Sequence, residues 1–372
     1  MTIYKENGSV VSDEELRPLN NRQTEIYKSK LEGFADYLLT QGKVPKKNIG
    51  YAERSVKIRI NRFHRVMKWT WNNSENPSIE FLRSNGDSVN QALETDSLRR
   101  YDGERYPGGT KRKFNDMLNN WFAFQSVEWE PEYEFRDQEP QNQPDPFRRT
   151  ELKQLWEASL TFKSIPSYNN LTPQERHRWK AHIAQELGKP KKKVQPDDWD
   201  RINNCWKIPS IVRTTRSQGW RPDLIGRMKV DWYDPDSQTV HIPAGEAPKN
   251  DSSWNPELTD EGAETLENWL EQRKLREIYD GRDEIWLTRE GNPYSSGTLN
   301  DLLDRLIEEA GINERGRKIV WYSFRHAVGT YVYEEFKSRE IVAEQLRQKS
   351  KESASQYIHP LPETKREASN VL

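Results

Sequence analysis

Cysteine is almost missing from this chain: Cys205 is the only one in 372 residues. That excludes an internal disulfide and a cysteine-based metal cluster, and it suits a reducing compartment. No run approaches the roughly 18 apolar residues a membrane helix needs, and residues 1–11 lack the apolar core of a secretion signal. A cytoplasmic protein without a membrane partner is expected. The six histidines, His64, His177, His182, His241, His326 and His359, fall in no ligand spacing such as His-Glu-x-x-His. There is no Gly-x-x-x-x-Gly-Lys phosphate loop either, so neither a metal nor ATP nor any other cofactor is expected. Excess charge is also lacking, because the formal net charge is −1 with 31% charged residues. Only local clusters can therefore point to a partner.

Aromatic residues are abundant. Fourteen Trp, 15 Tyr and 11 Phe compensate for a hydrophobic content of only 33%, since each ring buries a large area. The length allows two domains. Residues 1–21 carry no period and read as a loose arm. Tyr27, Leu31, Phe34 and Leu38 then recur at helical spacing, as do Val56, Ile60, Phe63 and Met67, and after them Phe114, Leu118, Trp121 and Phe122. A helical bundle over 22–128 follows. The span 129–146 is dense in Pro, Gln and acids with little to bury, which is the composition of a linker.

The second predicted helix has a one-sided polar face. Arg54, Lys57, Arg59, Arg62, Arg65 and Lys68 share it with His64, and no acid stands between 54 and 68. A solvated helix face is the ordinary reading of such a run. Six uncompensated cations repel one another unless a polyanion neutralises them, and that favours phosphate contact.

From 147 to 372 the patterns mix. Leu152, Leu155, Trp156 and Leu160 open a helix, and another leads to Arg221; residues 239–242 alternate as a strand, and 244–253 have the composition of a hairpin tip. Leu266, Trp269 and Leu270 mark a further helix, and 285–288 a short buried extended segment. Leu299, Leu302, Leu303 and Leu306 mark a helix that stops at Gly311. The expected fold class is mostly α with a small antiparallel sheet. The span 164–200, with Lys189 and Lys191, Lys192 and Lys193, reads as an elaboration ahead of Arg221.

Several residues could do chemistry. Arg325 and Tyr322 are three apart and face one way on a helix, with His326 next in line. Arg221 follows Gly219-Trp220 and precedes Pro222, which suits the first position of a helix, so Arg221 would stand at a helix start. Tyr357 lies 32 positions after Arg325, beyond a polar tract that begins at Gln348. Taken singly, each has an ordinary structural reading: a packing arginine, a turn, an aromatic anchor.

Together they resemble the tyrosine recombinase, or phage integrase, superfamily, whose pattern runs Arg, Lys, His-x-x-Arg, His or Trp, Tyr. The stretches 219–232, the hairpin around Lys249, 283–312 and 320–357 follow that order and cover the whole second domain; the helical first domain is similar, more loosely, to the family's core-binding domain. Two positions depart. Tyr322 stands where histidine is usual, a position at which archaeal and archaeal-virus members often vary, and Gln348 stands where histidine or tryptophan is usual. The resemblance implies a core-binding domain plus an α+β catalytic domain, and a DNA strand transferase. Tyr357 would attack a phosphodiester and form a covalent 3′-phosphotyrosine, Arg221 and Arg325 would clamp the phosphate, and Lys249 would protonate the leaving oxygen, with Lys229 as the alternative. Tyr322 and Gln348 would hydrogen-bond the phosphate and His326 would be accessory. The partner implied is double-stranded DNA, clamped by a homotetramer on paired sites. Tyr322 and Gln348 keep two alternatives open: a DNA-binding protein that has lost strand exchange, and a type IB topoisomerase-like nicking enzyme.

Overall fold

A computed structural model describes residues 16–74, 77–136, 143–162, 168–201, 205–246 and 252–360, together with 366 and 369; of 200 and 201 it describes the backbone alone. The chain divides into two compact units, Met1–Asn142 and Gln143–Leu372.

The first unit is helical. Helix α1, Asn21–Thr40, starts where the Asn20 side chain accepts from the Gln23 amide at 2.9 Å and the Gln23 side chain accepts from the Asn20 amide at 3.0 Å. Two of its orphan donors are thereby satisfied. Its face of Tyr27, Leu31, Phe34 and Leu38 is buried against α2, Glu53–Asn72, which contributes Val56, Ile60, Phe63 and Met67. Helices α3, Arg83–Glu94, and α4, Gly108–Phe124, complete the core. Phe63 stacks on Trp121 at 3.9 Å between ring centroids, and Phe34 meets Trp121 edge-on at 5.1 Å. Three helices follow the periodicity; α3 does not, because its inner face is made partly of Gly86 and Asn90.

Two sequence expectations need correction here. Leu16 and Leu19, assigned to a loose arm, are buried in the bundle's core, while residues 1–15 lie outside the described residues. The segment 129–135, assigned to the linker, belongs to the first unit. Trp129 and Phe135 are buried, and Trp129 donates to Asp87 at 2.8 Å. The Asn90 and Asn115 amides donate to the Tyr133 carbonyl at 3.0 and 2.9 Å, and the Tyr133 amide donates back to Asn90 at 2.8 Å. Buried amides from two helices fix this extended segment, a tertiary arrangement that leaves no period in the sequence.

The second unit gathers ten further helices, among the described residues, around a small sheet. In order these are α5 Arg149–Thr161, α6 Pro173–Glu186, α7 Pro196–Arg201, α8 Lys207–Gln218 and α9 Pro222–Ile225, then α10 Asp260–Arg273, α11 Ser296–Glu309, α12 Ser323–Phe336, α13 Arg339–Gln345 and α14 Lys351–Ala354. Strands β1, Tyr233–Asp234, and β2, Thr239–Val240, pair antiparallel with Tyr233 opposite Val240. Ile242 bridges Trp254 beyond them, as a hairpin requires. Residues 285–287 are buried as extended chain, with Leu287 bridging Pro293. The elaboration ahead of Arg221 is part of the core, into which it sends Trp179, Ile183, Val194 and Trp199.

The C-terminal helices form a smaller apolar cluster of Val328, Val342, Leu346, Ala354 and Tyr357. Gly329 makes it possible. A Cβ there would sit 2.6 Å from the Tyr357 Cβ and 2.7 Å from its carbonyl oxygen. Gly329→Ala is accordingly expected to destabilise the unit by about 1–3 kcal/mol and to expose the Tyr357 segment to protease. Urea melts with limited proteolysis check this, and an unchanged midpoint and cleavage pattern would refute it.

Candidate active site

Helix α8 ends at Gly219, whose φ of 62° is left-handed and reverses the chain at no steric cost. A Cβ on Gly219 would lie 2.9 Å from a Leu346 methyl and 3.4 Å from the Arg325 Cα, so the ends of α8 and α13 meet the first turn of α12 there. Trp220 is buried beyond the turn, and Arg221 is the extended residue before Pro222, the first residue of α9. The predicted helix start is present, although α9 has only four residues.

Arg325 is 1% exposed. Its Nη1 donates to the Gly219 carbonyl at 2.7 Å and its Nη2 to the Leu346 carbonyl. Two backbone dipoles from distant segments thus replace the water that the guanidinium loses. Gln348 bridges the two arginines. With its amide oxygen turned toward them it accepts from Arg325 Nη2 at 2.5 Å and from Arg221 Nη2 at 2.8 Å. The opposite orientation would place the amide nitrogen 3.3 Å from the Leu346 carbonyl, yet it would point donors at two guanidinium groups that have only donors to offer. Gln348→Glu puts a carboxylate in this place. It is expected to stabilise the unit by about 1–3 kcal/mol, read as a higher melting temperature, while weakening any anion that competes for the same donors; an unchanged melting temperature would refute the bridge.

Tyr357 is held from both ends. Thr330 Oγ1 donates to its carbonyl at 3.1 Å and accepts from the His359 amide at 3.1 Å. Its hydroxyl is 3.0 Å from that of Tyr322, and the Arg325 Cζ is 4.9 Å from its ring centroid. Burial on its own pushes the phenol up, but the charge of Arg325, the hydrogen bond from Tyr322 and the charge of Arg221 together bring it below the ordinary tyrosine value. Tyr322 goes the other way. Burial and the neighbouring Tyr357 raise it against the pull of Arg325 and Arg221, so Tyr322 remains a phenol and donates to the Tyr357 oxygen.

His326 faces the same pocket, 5.0 Å from Tyr357 between ring centroids, with its Nδ1 2.7 Å from His359 Nε2. Burial, reinforced by His359 and Arg325, pushes it down to about 3. Its folded value lies below the unfolded one near 6.5, so below that pH the unfolded chain binds the extra proton. Stability is therefore full above about pH 6.5 and falls as pH drops toward 3, with a slope approaching 1.4 kcal/mol per pH unit from this group. Denaturation midpoints of wild type and His326→Gln across pH 3–7 check the difference; parallel profiles would refute it.

The sequence candidates Arg221, Tyr322, Arg325, Gln348, Tyr357 and His326 converge. Lys249 lies outside the described residues. Lys229 forms a backbone bridge with Glu284. Of the α2 cations, Arg54 and Lys57 are exposed, and Arg62, Arg65, Arg59 and Lys68 are half-buried. Arg59 lies over the Tyr51 ring at 3.7 Å and bonds Asn120 at 3.0 Å; Arg65 lies over Tyr101 at 4.1 Å and bonds the Arg99 carbonyl at 2.5 Å. Two neighbours went unread in the sequence. His359 and Arg347 stand in no motif, and only the fold brings them to the site.

Residues 203–364 match the phage integrase family model. That span holds Arg221, Tyr322, Arg325, Gln348 and Tyr357. No curated protein sequence matches the chain. Among solved structures the chain is similar to XerH site-specific recombinase in a post-cleavage complex with palindromic difH substrate, at 16% identity over 95% of this chain and 89% of that one, with a TM-score of 0.55. A pre-cleavage XerH complex gives 16% identity, 96% and 92% coverage and a TM-score of 0.53. A Tn1549 transposon integrase in complex with a circular intermediate DNA gives 11%, 92%, 99% and 0.50. The fold is that of these recombinase structures, mostly helical with a small antiparallel sheet.

Proposed function

We propose that this protein is a site-specific DNA recombinase that cleaves and rejoins strands through Tyr357. The observation that carries the reading is the nucleophile's setting: a phenol 3.0 Å from a donating phenol and beside two guanidinium groups that a neutral amide bridges. The phenolate oxygen attacks phosphorus and the bond to the 5′ oxygen breaks, leaving a 3′-phosphotyrosine and a 5′-hydroxyl. Lys249 supplies the proton that the leaving oxygen takes up. Arg221 and Arg325 stay charged throughout and neutralise the nonbridging oxygens, for which planar guanidinium groups are matched. Attack by another strand's 5′-hydroxyl reverses the step, so phosphodiester bonds are conserved and no nucleotide triphosphate is consumed.

The cations of α2 fit contact with the phosphates of duplex DNA, most directly through exposed Arg54 and Lys57. Four protomers on paired sites would complete the exchange. The test is capture: wild-type protein is incubated with a random-sequence library of nicked duplexes, and protein resistant to boiling in detergent is digested for mass spectrometry. A phosphotyrosyl-nucleotide peptide containing Tyr357 is expected. Failure to capture any DNA under these conditions would favour a binding protein without strand exchange.

A further inference from the structure

Arg347 lies between Leu346, whose carbonyl holds Arg325, and Gln348, whose amide bridges Arg325 and Arg221. Its backbone is left-handed, with φ 45°. A long side chain is uncommon there and strained, a strain that persists where surroundings enforce it. The residue is only 9% exposed. Nη2 donates to the Ser252 carbonyl, to its hydroxyl at 3.2 Å and to the Ser253 carbonyl at 3.4 Å, and Cζ lies 5.5 Å from the Trp254 ring centroid. Nη1 is buried and has no hydrogen-bond partner among the described residues. An unmade bond at a buried charged donor is costly. Among the described residues the charge that acts on Arg347 is Arg221, and burial and that like charge both press its guanidinium toward lower values. The groups that act on Arg325 are Arg221, Tyr322 and Tyr357. Among the described residues, three guanidinium groups therefore share one site, two of them bridged by a neutral amide and the third held by backbone carbonyls.

We propose that Arg347 is a third phosphate-binding residue of this site, its Nη1 donating to a phosphate oxygen while Nη2 stays anchored on Ser252. This rests on the reading of the site as one that grips a phosphodiester. The strained backbone aims the side chain at Ser252 and away from solvent, and Arg221 and Arg325 supply the remaining donors. In the free protein the Gln348 oxygen partly offsets the repulsion; a phosphate, with several acceptor oxygens and a full charge, does so more completely.

Titration of the full chain with inorganic phosphate, against chloride at matched ionic strength, tests it. Arg347→Gly suits the left-handed backbone, so the melting temperature should hold while phosphate affinity falls by roughly tenfold relative to wild type. Because the readout is the difference between two proteins, phosphate bound elsewhere cancels. Equal affinity in both overturns the proposal, and so does a loss fully restored by Arg347→Lys, which would show that a local charge suffices without the anchored fork. With DNA recovered by covalent capture, Arg347→Gly should also form adduct at least about tenfold more slowly. Placing an uncharged methylphosphonate at the cleaved position should narrow that gap; an equal gap on both substrates would mean that Arg347 merely braces the hairpin, which also overturns it. No adduct from wild type, alongside Arg347-dependent phosphate binding, would sink the recombinase reading and leave this inference standing.

Discussion

Tyr357→Phe should bind DNA as wild type does and never become covalently joined to it. The substitution removes one oxygen from a ring that otherwise keeps its packing against Val328, Leu346 and Ala354. The backbone bond from Thr330 remains. Stability should fall only by about 0.5–1.5 kcal/mol for the lost bond with Tyr322. Catalysis should disappear, because the phenol described within hydrogen-bond reach of the Tyr357 hydroxyl, that of Tyr322, is raised by its burial and is a poor source of phenolate. Gel-shift affinity and denaturing-gel adduct yield measure the two effects separately. Adduct at the wild-type level would remove Tyr357 from the mechanism.

Arg325→Ala should damage both fold and chemistry. The Gly219 and Leu346 carbonyls would lose a charged donor inside the unit, and a cavity would open where the second-largest class of fully buried side chain now sits. A cost of about 3–5 kcal/mol is expected in denaturant titrations. Cleavage should fall by at least about 10³-fold, the scale found when one donor to a developing oxyanion is removed. Arg325→Lys separates the two losses. It keeps a charge but cannot reach two carbonyls and a phosphate with one fork, so it should recover part of the stability and little of the rate. Full activity in Arg325→Lys would show that the guanidinium geometry is not required.

The particular residues show why some of this was legible beforehand. Tyr27, Leu31, Phe34 and Leu38 announce a helix because one periodic face must be buried. Gly219 and Pro222 announce the reversal around Arg221 because glycine admits a left-handed φ and proline fixes its own. Trp129 and Tyr133 announce nothing. Trp129 is held by Asp87 and the Tyr133 backbone by Asn90 and Asn115, side chains on two separate helices. Arg347 is equally silent, since neither its left-handed φ nor its hold on Ser252 has a local signature.

The sequence by itself determined a two-part, mostly helical chain and an ordered set of residues in which a tyrosine follows two arginines, because turn chemistry and helical periodicity are local properties. Only the tertiary structure decided which side chains share the site and how they titrate. Proximity of Tyr322 to Tyr357, the amide bridge of Gln348 and the inward turn of Arg347 arise where α8, α12 and α13 meet, and charge–charge and burial effects depend on distance in space, not on position along the chain.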